Sequence, residues 1–235
     1  MSGALQAFQE RIGYAFRDPR LLERALTHAS WLQDHPEAPG NNQRLEFLGD
    51  SVLQLVLTQA LFTLFPGERE GVLTKRRAIL GRGAFLSALA REIGLDRTLL
   101  LGANEESLGG RGRDAALEDA FEALVGAVSV DGGLEEARRV VHALYGDLGA
   151  RLASLEGHAN PKGRLQEIVQ PLHGNQAIRY DVLSTEGADH ERTYEVGVFL
   201  LERRIGTGRG TSKKLAEEQA AHEALRTLET SPGGR

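Results

Sequence analysis

The 235-residue chain has no cysteine and only one tryptophan and one methionine. Without thiols it has no disulfide, no thiolate nucleophile and no cysteine-type zinc site, and it fits a reducing compartment. The stretch Met-Ser-Gly-Ala-Leu-Gln-Ala-Phe-Gln-Glu at its start lacks a basic segment followed by an apolar one, so no signal peptide is expected. No apolar run approaches the ~18–20 residues of a membrane span, and a soluble, cytoplasmic protein with no membrane partner is expected. An excess of positive charge is also missing, the net charge being −5. That would argue against a nucleic-acid binder if charge were evenly spread. It is not: Arg203, Arg204, Arg209, Lys213 and Lys214 follow one another with no acid between them, and a local patch suffices for phosphate contact.

Period-two alternation is absent from the first half. Residues 4–149 read as nearly all helix. Leu21 to Ala29 is one segment. A long helix runs from about Gln43 to Phe65 and stops at Pro66-Gly67. Val72 to Ile93 forms one or two more, with Gly81 and Gly83 as a break and Gly94 as a stop. Asn104 to Gly112 reads as loop, and Asp131-Gly-Gly133 turns into a clearly periodic helix from Leu134 to Leu148.

The long helix contains Asn42-Gln43-Arg44-Leu45-Glu46-Phe47-Leu48-Gly49-Asp50-Ser51. Apolar residues on every face predict burial all round. Within it Glu46 and Asp50 stand one turn apart on the same side. Burying two like charges costs several kcal/mol, on the order of 3–5, unless something positive answers them, and Arg44 is the only cation close in sequence. A bound metal is one answer; the solvated end of a core helix is the other. A second acidic helix, Asp114 to Val128, carries Asp114, Glu118, Asp119 and Glu122. Spacing does not choose among its pairs. Asp119 and Glu122, however, share a face with Ala115, Gly126 and Ser129, which would admit another helix closely. Two such helices would form an oxygen-rich cage suited to Mg²⁺ or Mn²⁺ rather than zinc.

After Gly149 the pattern changes. Residues 151–159 read as a linker. Pro161 to Val169 is a short helix with proline in its first turn, residues 178–183, 193–201 and 203–209 alternate as strands, and Ser212 to Leu228 is a last helix. The fold class expected is an all-α domain over 1–150 followed by a small α+β domain of order α-β-β-β-α over 160–229, with 230–235 as a disordered tail.

The stretch Asn42 to Ser51 resembles the signature of the ribonuclease III nuclease domain, departing from it at Gln43, where the family usually has Glu. Asp119-Ala-Phe-Glu122-Ala resembles that family's second acidic motif. The resemblance implies four metal ligands, Glu46, Asp50, Asp119 and Glu122, with Asp50 and Glu122 the catalytic pair. It further implies Mg²⁺, with Mn²⁺ substituting, and two-metal hydrolysis of RNA phosphodiesters. Gln43 and Glu70, in Phe65-Pro-Gly-Glu-Arg-Glu70-Gly71, match secondary positions of the RNA cleft.

Three blocks of the second half, Pro161-Lys-Gly-Arg-Leu-Gln-Glu167, Gly187-Ala-Asp-His190 and Gly206-Thr-Gly-Arg-Gly-Thr-Ser-Lys-Lys-Leu-Ala-Glu217, resemble a double-stranded-RNA-binding domain. Gly163 and Ala188 stand where that family often has Thr and Pro. The resemblance assigns Gln166 and Glu167 to one minor groove, His190 to a second and Lys213 and Lys214 to the phosphates between them.

Together the two halves imply a homodimeric, double-strand-specific endoribonuclease of ribosomal and messenger RNA processing. It would leave 5′-phosphate, 3′-hydroxyl and two-nucleotide 3′ overhangs. The alternative is a non-catalytic dimer that only binds duplex RNA. A helical phosphohydrolase of small substrates would need His-Asp metal pairs. Asp34-His35 lies in a Pro/Gly-rich loop and Asp189-His190 in the second domain, so neither fits.

Overall fold

The computed structural model describes residues 3–187 and 192–230. The chain forms two compact units that meet in sequence at Gly149 and Ala150, and each is taken by itself.

The first unit is helical: α1 (Gly3–Ile12), α2 (Pro19–Ala25), α3 (Trp31–Asp34), α4 (Gln43–Leu64), α5 (Glu70–Leu80), α6 (Gly83–Glu92), α7 (Ala103–Ser107), α8 (Asp114–Gly132) and α9 (Leu134–Tyr145). Its centre is α8. Leu117, Ala120, Phe121, Leu124, Val125, Ala127 and Val128 are all buried, each large one contributing about 1.5–3 kcal/mol of transfer free energy. Gly133 ends the helix with φ +87°, a conformation that favours glycine. Near that end Asp131 accepts hydrogen bonds from the Tyr14 hydroxyl (2.8 Å) and from the backbone N–H groups of Arg17 and Asp18, tying the N-terminal segment down.

Burial on every face, expected of α4, belongs to α8 instead. On α4 Leu53, Val56, Leu57 and Leu61 are buried, but Phe47 is 80% and Phe62 72% exposed, and Leu48, Leu55 and Leu64 are exposed as well. By length and average composition alone α4 also passes for a membrane span, but Glu46, Asp50, Gln54 and Gln59 break its apolar run, as read from the sequence.

Glycine breaks the next segment as expected, α5 ending at Leu80 and α6 starting at Gly83, and Gly94 follows with φ +71°. Asn104–Ser107, read as loop, forms the single turn of α7. Residues 151–159, read as linker, lie in a helix, α10 (Leu148–Ala159). Gly149 and Gly157 interrupt its periodicity and hid it.

The second unit is α11 (Pro161–His173), β1 (Ile178–Glu186), β2 (Thr193–Leu200), β3 (Arg203–Gly210) and α12 (Lys213–Thr230). The strands form one antiparallel sheet in the order β1-β2-β3. Asn160 caps α11, its Oδ1 accepting from the Gly163 N–H at 3.0 Å. A Cβ at Gly163 would fall 2.2 Å from the Asn160 amide nitrogen, so the cap occupies the space a threonine there would use. Leu165 and Val169 of α11 pack with Val198 and Ile205 of the sheet and with Ala220, Ala221, Ala224 and Leu225 of α12. Along β3 the approach to α12 is close: a Cβ on Gly206 would meet the Ala220 carbonyl oxygen at 2.4 Å, and one on Gly208 the Ala220 nitrogen at 2.2 Å. Of the expected tail, 230–235, Thr230 ends α12, and 231–235 lie outside the described residues.

Candidate functional site

The acidic residues meet because two helices cross through glycine. A Cβ at Gly49 of α4 would lie 1.7 Å from the Glu122 carbonyl oxygen of α8, and one at Gly126 would lie 2.1 Å from the Leu45 carbonyl oxygen. Backbone touches backbone there, which no side chain larger than hydrogen allows. Glu46 and Asp50 flank Gly49, and Glu122 lies one turn before Gly126. The crossing therefore sets the two acid pairs side by side.

The electrostatics record that proximity. Glu122 is half-buried, and burial first, then Asp50, Glu118, Glu46 and Asp119, push its carboxyl up to about 8. Glu46 is raised by burial and then by Asp119, Glu118 and Asp50. Burial raises Asp119, and His28 pulls it partly back. Glu118 is raised by burial and then by Asp119, Asp114 and Asp50. Among the described residues none of these carboxylates makes an ion pair. Asp50 accepts one hydrogen bond, from Gln54 Nε2 at 3.3 Å.

The donor set is oxygen only and His28 alone answers part of its negative charge, which suits a hard divalent cation. As the side chains stand, no three Asp, Glu or His among the described residues converge on a shared coordination point. Glu46, Asp50, Asp119 and Glu122 share a field, and ligation would require side-chain rotation toward a common centre.

Two participants escape sequence reasoning. Glu118 belongs to the cluster, yet in sequence it is one of several equivalent i,i+4 acids; its carboxylate rests against Gly83. His28 is a lone histidine without a motif. Its Nδ1 lies 2.8 Å from Ser30 Oγ and 3.2 Å from the Ser30 backbone nitrogen. Among the described residues neither secondary position hydrogen-bonds to any of the four. Glu70 heads α5 and accepts from Thr74 Oγ1 at 2.9 Å. With Phe62, Leu73 and Arg77 it lines a cavity of about 480 Å³. Gln43 is exposed and bonds to Asn41.

In the second unit Gln166 and Glu167 are exposed on α11, Glu167 pairing with Arg164 at 3.3 Å. Lys213 and Lys214 are exposed in the first turn of α12, whose Leu215 N–H is capped by Ser212 Oγ at 3.2 Å. The helix start adds its own attraction for phosphate. Lys162 joins the helices that carry these groups: its Nζ pairs with Glu217 of α12 at 2.5 Å and sits 4.7 Å from the Tyr180 ring centre. His190 and Ala188 lie outside the described residues.

Comparison with known proteins matches both units. A family described as Ribonuclease-III-like matches residues 18–148, and one described as Double-stranded RNA binding motif matches 161–228. Ribonuclease 3 of Oleidesulfovibrio alaskensis is 42% identical across 95% of this chain and 97% of its own length. Ribonuclease 3 of Symbiobacterium thermophilum is 44% identical across 92% and 91%. The crystal structure of the nuclease domain of ribonuclease III from Campylobacter jejuni superposes with a TM-score of 0.57 at 36% identity, covering 61% of this chain and 94% of that one. A second structure of that domain, concerned with structural flexibility in a region involved in dimer formation, gives 0.56 at 36% identity, covering 60% and 94%.

Proposed function

We propose a mechanism from one premise: the chain belongs to the ribonuclease III family, and is an endoribonuclease of double-stranded RNA with its own duplex-binding domain. The four carboxylates Glu46, Asp50, Asp119 and Glu122 would hold Mg²⁺, with Mn²⁺ able to substitute. One observation carries this reading: both acid pairs share one field across the Gly49–Gly126 crossing and, among the described residues, pair with no arginine or lysine. When bound, two metal ions make a nucleophile of water near neutral pH and stabilise the departing 3′-oxygen. The chain's own part is to fix the acids on two helices that cannot slide and to keep Glu122 half-buried. A carboxyl raised as Glu122 is would have to release its proton to hold a cation, so metal affinity would rise with pH. The products are 5′-phosphate and 3′-hydroxyl ends with two-nucleotide 3′ overhangs.

Duplex RNA is gripped by the second unit through Gln166, Glu167, Lys213 and Lys214, with His190 on the β1–β2 segment. Cutting both strands needs two copies. The exposed apolar residues of α4, Phe47, Leu55 and Phe62, recur on one stripe of the helix, which supports a homodimer built on that face. A cysteine-free chain with bacterial relatives fits work on ribosomal and messenger RNA in the cytoplasm.

A long RNA duplex incubated with the protein, with and without Mg²⁺, tests the reading. Cleavage is expected only with metal. Glu122→Gln or Asp50→Asn is expected to remove it by about a thousandfold or more while duplex affinity stays within a few fold. Near wild-type cleavage by either variant refutes the site. The alternative, a binding dimer without catalysis, predicts retention without cutting at any metal concentration.

A further inference from the structure

We infer that Arg82 contacts a backbone phosphate of the RNA beside the acidic cluster, held at the rim of the cleft by the glycines on either side of it. The inference rests on the nuclease reading above and extends it to a residue outside the four carboxylates.

Arg82 lies in the turn Gly81-Arg82-Gly83 between α5 and α6. Both neighbours press on the cluster. A Cβ at Gly81 would stand 2.9 Å from Gln54 Nε2, the amide nitrogen that donates to Asp50. A Cβ at Gly83 would stand 2.2 Å from Glu118 Oε2. The turn thus leans on Asp50's partner with one shoulder and on Glu118 with the other. Side chains at 81 or 83 would push those groups aside; hydrogen does not. The one side chain the turn does carry is a guanidinium, and it is exposed.

That guanidinium is uncommitted. Nearby arginines have partners: Arg91 pairs with Asp114 at 2.7 Å, Arg76 with Glu68 at 3.2 Å, and Arg77 donates to Thr58 at 3.0 Å. Among the described residues Arg82 makes no ion pair. It is also absent from the charges acting on Glu118 and Glu122, so it does not fold back to neutralise them. An unpaired arginine commonly means only a solvated surface residue. The turn that carries this one packs against Gln54 and Glu118, at the edge of a cluster of acids that a polyanion must approach. Five carboxylates repel an RNA backbone, and an outward guanidinium at their edge offers a planar fork matched to two phosphate oxygens. Its role is to hold the strand next to the acids, and it moves no proton.

The test uses full-length Arg82→Ala, Arg82→Lys and Arg82→Glu. Single-turnover cleavage of a long RNA duplex is measured with enzyme in excess, across Mg²⁺ and salt titrations. Duplex affinity is measured separately without divalent metal. Arg82→Ala is expected to slow cleavage about tenfold, Arg82→Glu about a hundredfold, and Arg82→Lys to fall between wild type and alanine. The log–log salt dependence of half-saturation should flatten by about 0.7–0.9 for Arg82→Ala, one phosphate contact. The Mg²⁺ midpoint and the thermal midpoint should not move. Wild-type rates for Arg82→Glu overturn the proposal. So does a slow Arg82→Ala that excess Mg²⁺ restores, because Arg82 would then act on the cluster rather than on RNA. If the wild-type protein binds duplex without cutting it, the nuclease reading fails by itself. The affinity arm still decides Arg82, with about fivefold weaker binding of Arg82→Glu supporting the contact and unchanged binding overturning it.

Discussion

The carbonyl oxygen of Glu122 occupies the place where a Cβ on residue 49 would be, 1.7 Å from that point. One residue supplies an acid through its side chain and the floor of a helix crossing through its backbone. The other makes the crossing feasible by having no side chain.

Gly49→Ala and Gly126→Ala should therefore damage the fold as well as activity. Each added methyl meets backbone, which has no rotamer to escape into, and overpacking of this kind costs about 1–3 kcal/mol or more. Thermal melts should show both variants well below wild type. A melt unchanged for Gly49→Ala would mean the helices stand further apart than described.

The raised Glu122 fixes the sign of a pH effect. Its folded pKa, about 8, exceeds the ordinary glutamate value of 4.5, so the metal-free fold holds a proton that the unfolded chain releases. That contribution is fully present below about 4.5 and is lost as pH rises through about 8. Asp18, Glu106 and Asp114, whose carboxyls are held low by hydrogen bonds to Arg20, Arg111 and Arg91 respectively, act only at the acid end. Between pH 5 and about 8, metal-free wild type should lose stability relative to Glu122→Gln, by about 1–2 kcal/mol after solvent screening. Chemical denaturation in chelator at several pH values measures the difference. Parallel curves would remove the linkage.

Phe47 should matter for assembly more than for folding. It is 80% exposed, so Phe47→Asp removes no core contact and should leave the melting of the single chain nearly unchanged. Sedimentation at micromolar concentration should show a monomer for the variant and a dimer for wild type. A dimer that survives the substitution would place the interface elsewhere.

Lys213→Ala with Lys214→Ala should weaken duplex binding uniformly across sequences. It should also flatten the salt dependence by about 1.5–2 on a log–log plot, two phosphate contacts. Affinity measured at four or five salt concentrations checks this. Equal slopes would show that the lysines remain solvated in the complex.

Much of this was legible in the sequence because the local signals agreed with the fold. Gly81, Gly83 and Gly94 mark helix ends that the chain uses, and alternation through Tyr194, Val196 and Val198 marks a real strand. The acids were legible as pairs, and Gly126 as a point of close approach. What stayed hidden depends on neighbours distant in sequence. Glu118 joins the cluster because α6 starts beside it, and His28 acts on Asp119 from 91 positions away in the chain. Nothing in their own windows reports this. The bare side of α4 was misread for a related reason: apolar periodicity states that a face wants cover and does not say which chain supplies it. Residues 151–159 failed the other way, with glycines masking a helix that forms.

The glycines of β3 have a last consequence. Gly206 and Gly208 seat the strand against the backbone of α12, and the Lys162–Glu217 pair fastens α11 to the same helix. The offset between the groups on α11 and the lysines on α12 is therefore built in rather than adjusted on contact. A fixed gauge of this kind discriminates by shape. If the two ends take RNA as proposed, a duplex whose grooves are spaced differently would not engage both at once, and RNA would be chosen over DNA of the same sequence without any base being read.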